Sequence, residues 1–94
     1  MGMRSDGKAT TLTSTGGAVF GGPARIMGIH FVSSATAGSI IIKDGGASGT
    51  SLATFATPAA VNVGYIDLSA SPIRCETSAY GALSNVTSAT VVYA

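Results

Sequence analysis

The chain has 94 residues, a formal net charge of +1, and charged side chains at only 10% of its positions. This length corresponds to one domain, and the absence of a Lys and Arg cluster excludes the basic surface that nucleic-acid binding requires. Just over half of the residues are Ala, Gly, Ser or Thr. Because soluble domains carry about a quarter charged residues, the low charge predicts that part of the surface is covered in an oligomer or larger assembly.

The beginning of the chain is predicted to be a flexible arm, residues 1–8, ahead of a domain that spans residues 9–94. The arm holds two of the five basic residues and little that is apolar. A Thr-rich strand is predicted over Ala9–Ser14, and Gly16-Gly17 separates it from a short piece at Ala18–Phe20. A turn is predicted at Gly21-Gly22-Pro23, because this tripeptide does not fit a regular element.

The stretch Ala24–Gly49 is predicted to be a β-hairpin around which the rest of the chain is organised. Two apolar segments are joined by the small residues Ala35–Gly38. Together they supply most of the large apolar side chains of the protein, namely Ile26, Met27, Ile29, Phe31, Val32, Ile40, Ile41 and Ile42. The far end, Lys43–Gly49, is predicted to be an exposed Gly-rich loop.

The first strand of this hairpin does not alternate between apolar and polar residues, as a strand with one solvated face should. Two interpretations stay open. In one, a second subunit covers the outer face, and Met27, Ile29 and Phe31 form a self-association surface. In the other, the strand lies in the middle of a sandwich and a bulge swaps its faces, with Gly28 marking the bulge or a close backbone approach.

The second half of the chain continues as short strands separated by turns. They are predicted at Thr50–Ala56, Val61–Leu68, Ile73–Thr77, Tyr80–Leu83 and Val86–Tyr93. Seven or eight short strands with a turn every 8 to 12 residues are typical of a sandwich. The predicted fold is therefore all-β, a single antiparallel β-sandwich or jelly roll without significant helix.

No set of residues predicts an enzyme, a metal site or a cofactor site. One His and one Cys cannot form a structural zinc site, and Asp67 and Glu76, the one pair of carboxylates that flanks a turn, are expected to make surface ion pairs. Cys75 is predicted to be a buried core residue. His30 is predicted to be a hydrogen-bonded core or interface residue, with a pH-sensitive interface as the sharper alternative.

The aromatic residues and the apolar runs of the sequence give little support for sugar binding or for membrane insertion. Sugar sites on β-sandwiches use exposed aromatic rings, and Tyr65, Tyr80 and Tyr93 lie on three different predicted strands, which favours core or hydrogen-bonding roles for them. No continuous apolar run approaches the length of a membrane span, and no signal peptide is visible. We therefore expect no membrane partner and no nucleic-acid partner.

Four phrases of the sequence carry a resemblance to a known class of proteins. They are Gly22–Ile26, Ile40–Gly46, Pro72–Arg74 and Tyr80–Val91. Over about residues 18–94 the chain resembles small virion structural proteins of tailed bacteriophages, and proteins of this size in that class resemble capsid decoration or cement proteins.

The resemblance implies a non-enzymatic, β-rich and often trimeric protein that clamps neighbouring capsid subunits in the virion after assembly in the host cytoplasm. Its partners would be the major capsid protein or other virion proteins. Contacts with the shell are expected from the arm and the Gly-rich loop, with Arg4, Lys8, Lys43 and Asp44 as candidates. The alternatives are a neck, tail or fibre component, or a receptor- or carbohydrate-binding module.

Overall fold

The structure is a computed structural model that describes residues 8–13, 15–60, 64–68 and 70–94. This part of the chain is all-β and contains no helix, so no helix long and apolar enough to cross a membrane is found in it. Its nine strands are β1 (Lys8–Thr13), β2 (Gly16–Phe20), β3 (Ala24–Ser33), β4 (Gly38–Asp44), β5 (Thr50–Thr57), β6 (Gly64–Asp67), β7 (Ile73–Cys75), β8 (Ala79–Ser84) and β9 (Val86–Tyr93).

The strands form two antiparallel sheets. Sheet A has the order β1-β9-β3-β6, with β7 also paired to β3, and sheet B has the order β2-β8-β4-β5. The pairs β1–β9, β2–β8, β3–β6 and β4–β5 describe one long antiparallel ribbon that turns between β4 and β5 and wraps into two layers. This order is that of a jelly roll, so the predicted fold class is confirmed.

The predicted hairpin of Ala24–Gly49 is wrong, because β3 and β4 lie in opposite sheets. β3 pairs with β9, β6 and β7, whereas β4 pairs with β5 and β8. The connection between them, residues 34–37, crosses from one sheet to the other. Both strands are apolar because each is a central strand of its own sheet and faces the other across the core.

The bulge predicted in the first apolar strand is confirmed. The pairing of β3 with β9 shifts between Ile26 and Gly28, which leaves Met27 as the extra residue. In a regular strand, residues three positions apart point to opposite faces. Because of the bulge, Ile26 and Ile29 both point into the core and are fully buried. Gly28 also meets a close approach, since a Cβ at this position would collide with the Tyr65 ring.

Branched side chains fill the space between the two sheets. Ile26 and Ile29 of β3, Ile40 and Ile42 of β4 and Val91 of β9 have no solvent exposure. Cys75 is also fully buried, as predicted. Burial of this kind contributes roughly 1.5–3 kcal/mol for each large aliphatic side chain, so the four central strands hold most of the hydrophobic stabilisation.

The observed strand boundaries agree closely with the predicted ones at the C-terminal end of the chain and less closely at the N-terminal end. The observed β9 has the predicted bounds. Gly16 and Gly17 belong to β2 rather than to a break, and Lys8, predicted as the last arm residue, begins β1. The rest of the predicted arm and residues 61–63 of the predicted strand Val61–Leu68 lie outside the described residues.

We predict that Gly38→Ala lowers the free energy of unfolding by about 1–3 kcal/mol, in the range of overpacked sites. A Cβ at Gly38 would collide with the backbone carbonyl of Ser84 on the neighbouring strand, which cannot move without disturbing the sheet. Gly21→Ala is the matched control, because a Cβ there meets no atom within 4 Å. Urea unfolding of both variants tests this, and equal midpoints would contradict it.

Candidate functional site

Charged side chains are concentrated at one end of the sandwich, called here the charged end. Its members lie where strands of both sheets begin or finish, and they are Lys8, Arg25, Lys43, Asp44, Arg74 and Glu76. The strand register brings these positions together, since Arg25 is opposite Arg74 and Asp44 is opposite Ala79. Asp67, opposite Gly28, is the charged residue nearest the middle of the sandwich.

The other half of the sandwich, called here the neutral half, carries no Lys, Arg, Asp or Glu among the described residues. It contains the loops 34–37 and 58–60 and the turn at Asn85. The Ser34 hydroxyl donates to the carbonyl of Asn85 at 2.9 Å, and the Asn85 side-chain amide donates to the carbonyl of Ala37 at 3.2 Å. Hydrogen bonds between uncharged groups therefore connect the loop 34–37 of the neutral half with the turn at Asn85.

The Asp44 carboxylate organises the charged end. It accepts backbone N–H groups from Thr77 at 2.8 Å, from Ser78 at 3.2 Å and from Glu76 at 3.2 Å. The Thr77 bond lowers the pKa of Asp44 most, partial desolvation opposes it, and the Ser78 and Glu76 bonds lower it further. The carboxylate therefore fixes the loop between β7 and β8 to the end of β4.

The Gly-rich loop after Asp44 is also held in place. The Lys43 ammonium group donates to the carbonyl of Ala47 at 3.0 Å, and Gly45 N–H donates to the carbonyl of Ser78 at 3.2 Å. Gly45 and Gly46 have φ angles of 99° and 94°, a backbone region that side chains with a Cβ rarely adopt. The loop is a fixed part of the charged end.

Cys75 lies under this loop and is not accessible as a nucleophile. Its thiol is 3.9 Å from the carbonyl oxygen of Lys43. Burial raises the pKa of the Cys75 thiol, and the charge of Asp44 raises it further. A thiol with a raised pKa is a poor nucleophile, so the core role predicted for Cys75 agrees with its surroundings.

A concave cleft lies beside the two arginines of the charged end. It has a volume of about 370 Å³ and is lined by Pro23, Ala24, Arg25, Arg74 and Ala94. Arg25 and Arg74 are directly opposite on β3 and β7, and both are exposed. The backbone of Ala94 pairs with that of Arg25 through N–H to O distances of 3.0 and 2.9 Å. Sequence reasoning missed this pair, because the register of β3 with β7 is not visible in the sequence.

The outer face of sheet A carries a row of uncharged side chains in the neutral half. The register aligns Thr11, Thr90, His30 and Tyr65 across four strands. The rings of His30 and Tyr65 are 4.2 Å apart between centroids, and the hydroxyls of Thr11 and Thr90 are 3.0 Å apart. His30 is exposed, so the predicted core position is wrong, and an interface role for it stays a prediction.

β5 is an uncharged edge strand. Within the described chain it pairs with β4 alone, and its sequence TSLATFAT contains neither a charge nor a proline. Leu52 lies at a bulge and is 40% exposed. On the opposite side of the sandwich, β1 and β2 approach each other, and the Thr10 hydroxyl donates to the carbonyl of Val19 at 3.0 Å.

The predicted self-association residues do not form a surface. Ile29 and Phe31 point into the core with exposures of 0% and 8%, because the bulge at Met27 places them on the inner face, and Met27 itself is half-buried. The exposed positions of the same strand in the neutral half are His30 and Val32. Ile29 and Phe31 are therefore not available to contact a second copy, because they are part of the core.

The candidate shell contacts have different surroundings. Arg4 lies outside the described residues. Lys8 is exposed, and its ammonium nitrogen is 5.6 Å from the centre of the Phe20 ring. Lys43 and Asp44, predicted in an exposed loop, are instead the last two residues of β4 and half-buried, and both bind backbone groups of their own chain.

A group of three His, Cys, Asp or Glu side chains that could hold a metal ion is not found in the described residues.

The three tyrosines differ in exposure. Tyr65 is 52% exposed, Tyr80 is half-buried, and Tyr93 is buried against Phe20 at 5.4 Å between ring centroids.

No protein-family model, curated protein or solved structure matches the chain.

We predict that Asp44→Asn lowers the urea midpoint at neutral pH, because the amide cannot accept three N–H groups as the carboxylate does. The folded-state pKa of Asp44 is below its unfolded value of 3.8. Its contribution to stability is therefore complete above that value and is lost as the pH falls through the lower folded-state pKa. The difference between the variant and the wild type should shrink below about pH 4.

Glu76→Gln is the control for this experiment, since it removes one negative charge from the same end without breaking the contacts of Asp44. Urea midpoints of the three proteins between pH 7 and pH 3 provide the measurement. A wild-type advantage over Asp44→Asn that is the same at both pH values would rule out the ionised carboxylate as the cause.

Proposed function

We propose that the protein is a non-enzymatic virion structural protein, specifically a capsid decoration or cement protein that oligomerises and stabilises the assembled shell. The observation that supports this most directly is the charge distribution. All charged residues of the described chain lie at the charged end or next to it, which leaves the neutral half with uncharged, mostly small side chains.

This distribution suits contact with protein. Charged groups lose hydration when an interface covers them, and interface centres are accordingly depleted of charged residues. The exposed side chains of sheet A in the neutral half are uncharged, including Thr11, Thr13 and Val32. A neighbouring subunit can cover them without leaving a charge unpaired.

The edge strand β5 is the proposed self-association element. Long uncharged edges pair readily with other chains, and proteins that must avoid such pairing place Lys or Pro there. β5 has neither, and residues 50–52 and Thr54 are exposed. Pairing of β5 with β5 of a second copy gives a two-fold dimer, whereas a trimer requires β5 to meet a different surface of the next copy.

A cement protein acts without chemistry. It binds the assembled shell and not the free subunits, so it stabilises the shell by mass action. Repetition of weak contacts in one oligomer multiplies their effect, because the second and third contacts form at high effective concentration. The jelly roll, with its buried apolar core, provides the stable body that such repeated contacts need.

We predict an oligomer of the 9.2 kDa chain in size exclusion coupled to light scattering at low micromolar concentration. Thr54→Lys should shift the mass toward the monomer, because a lysine on an edge strand disfavours pairing with another chain. Ser71→Lys is the control, since Ser71 is an exposed residue between β6 and β7 that lies on no edge strand and outside the neutral half. A monomeric wild type, or equal dissociation by both variants, would contradict self-association through β5.

A second measurement tests the location of the protein. Mass spectrometry of gradient-purified particles from the virus that carries the coding sequence should detect the chain in stoichiometric amounts with the major capsid protein. Particles that lack the chain should break at lower temperature. Absence of the chain from purified particles would overturn the proposed role.

Tyr65 supports one alternative, a carbohydrate-binding module. Among the described residues it is the most exposed large hydrophobic side chain, at 52%, and its ring packs against that of His30 on the outer face of sheet A. If this role were correct, a glycan array would give hits that Tyr65→Ala removes and that Tyr80→Ala, on the other sheet, leaves intact. An array without hits would exclude it and favour the structural role.

A further inference from the structure

We propose that Arg25 and Arg74 form a carboxylate-binding site that receives an Asp or Glu side chain of a neighbouring protein subunit in the particle. The site lies in the cleft lined by Pro23, Ala24, Arg25, Arg74 and Ala94. This inference rests on the proposed function for the identity of the partner. The binding of a carboxylate to the isolated protein does not depend on it.

The first argument is the position of two like charges. Arg25 and Arg74 are directly opposite in the antiparallel pair β3–β7. Directly opposed side chains on such a pair have Cβ atoms about 4.5–5.5 Å apart, and like charges at these positions destabilise the sheet. Their inner neighbours Ala24, Ile26 and Cys75 are buried, so both guanidinium groups extend from the outer face on the same side.

The second argument is the lack of an internal partner. Within the described chain, neither arginine side chain forms an ion pair or a hydrogen bond, and the Asp44 carboxylate at the same end of the sandwich is occupied by three backbone N–H groups. Lys43, the other cation of this end, is in contrast bonded to the carbonyl of Ala47. The two arginines therefore present a charge that the described fold does not neutralise.

The third argument is the chemistry of the guanidinium group. It presents N–H donors in a rigid plane that matches a carboxylate in a bidentate manner. Two such groups beside a concave cleft of about 370 Å³ suit one small anionic group. Nucleic acid would need a larger basic surface, and the net charge of the chain is only +1. A single acidic side chain of a protein is the occupant that this geometry fits.

The test titrates the full chain with glutarate, a dicarboxylate that mimics the Glu side chain, at constant ionic strength set with sodium chloride. Arg25 and Arg74 Nε–H signals in a nitrogen-proton NMR spectrum should shift together and saturate. Arg74→Gln should weaken the binding about tenfold or more, because one bidentate partner is lost. Lys43→Gln, which removes the same charge from the same end, should leave it unchanged.

A second readout separates a binding site from a structural role. Without glutarate, Arg74→Gln should unfold at the same temperature as the wild type or a higher one, because the repulsion between the arginines is removed. Glutarate should raise the unfolding temperature of the wild type and not that of Arg74→Gln. Extension of the chain by Gly-Ser-Gly after Ala94 keeps any terminal carboxylate away from the cleft and should leave the glutarate response intact.

Three results would overturn the inference. They are the absence of any glutarate response in the wild type, a response that persists in the double variant Arg25→Gln/Arg74→Gln, and a response to inorganic phosphate without one to glutarate. The two proposals can fail separately. If the protein binds glutarate but is absent from virus particles, the carboxylate site is confirmed, whereas the proposed function and the viral partner are refuted.

Discussion

The packing of two central strand pairs on each other is the interaction on which the rest of this structure depends. β3 and β9 of sheet A face β4 and β8 of sheet B, and Ile26, Ile29, Ile40, Ile42 and Val91 fill the space between them without solvent exposure. The bulge at Met27 keeps both Ile26 and Ile29 on the inner side. Without it, one end of β3 would turn its apolar side chains toward solvent, because strand side chains alternate between faces.

The wrapped ribbon also determines where the charges lie. In an antiparallel pair, the first residue of one strand lies beside the last residue of the other. The charged residues of β1, β3, β4 and β7 therefore come together at one end of the sandwich. The same pairing gathers the uncharged loops at the other end. Asp44 then stabilises the charged end from within, so its carboxylate is engaged with its own chain, while Arg25 and Arg74 have no such partner in the described residues.

The two proposals use different parts of the molecule. Self-association is assigned to the uncharged edge β5, which lies in sheet B, and the carboxylate site is assigned to the β3–β7 pair in sheet A. The two proposed contacts therefore use different strands and can be removed by separate substitutions. The capsid clamp proposed above would need both contacts, one to a second copy and one to the shell.

The sequence by itself determined the all-β class, the position of most strands and the burial of Cys75, because strand alternation, turn residues and side-chain size act over a few neighbouring positions. It also indicated a bulge near Gly28. Only the tertiary structure decided that β3 and β4 lie in opposite sheets, that Ile29 and Phe31 point inward, and that Arg25 meets Arg74. These features depend on pairings between residues dozens of positions apart, such as Arg25 with Arg74, and local sequence patterns carry no information about which distant strands will pair.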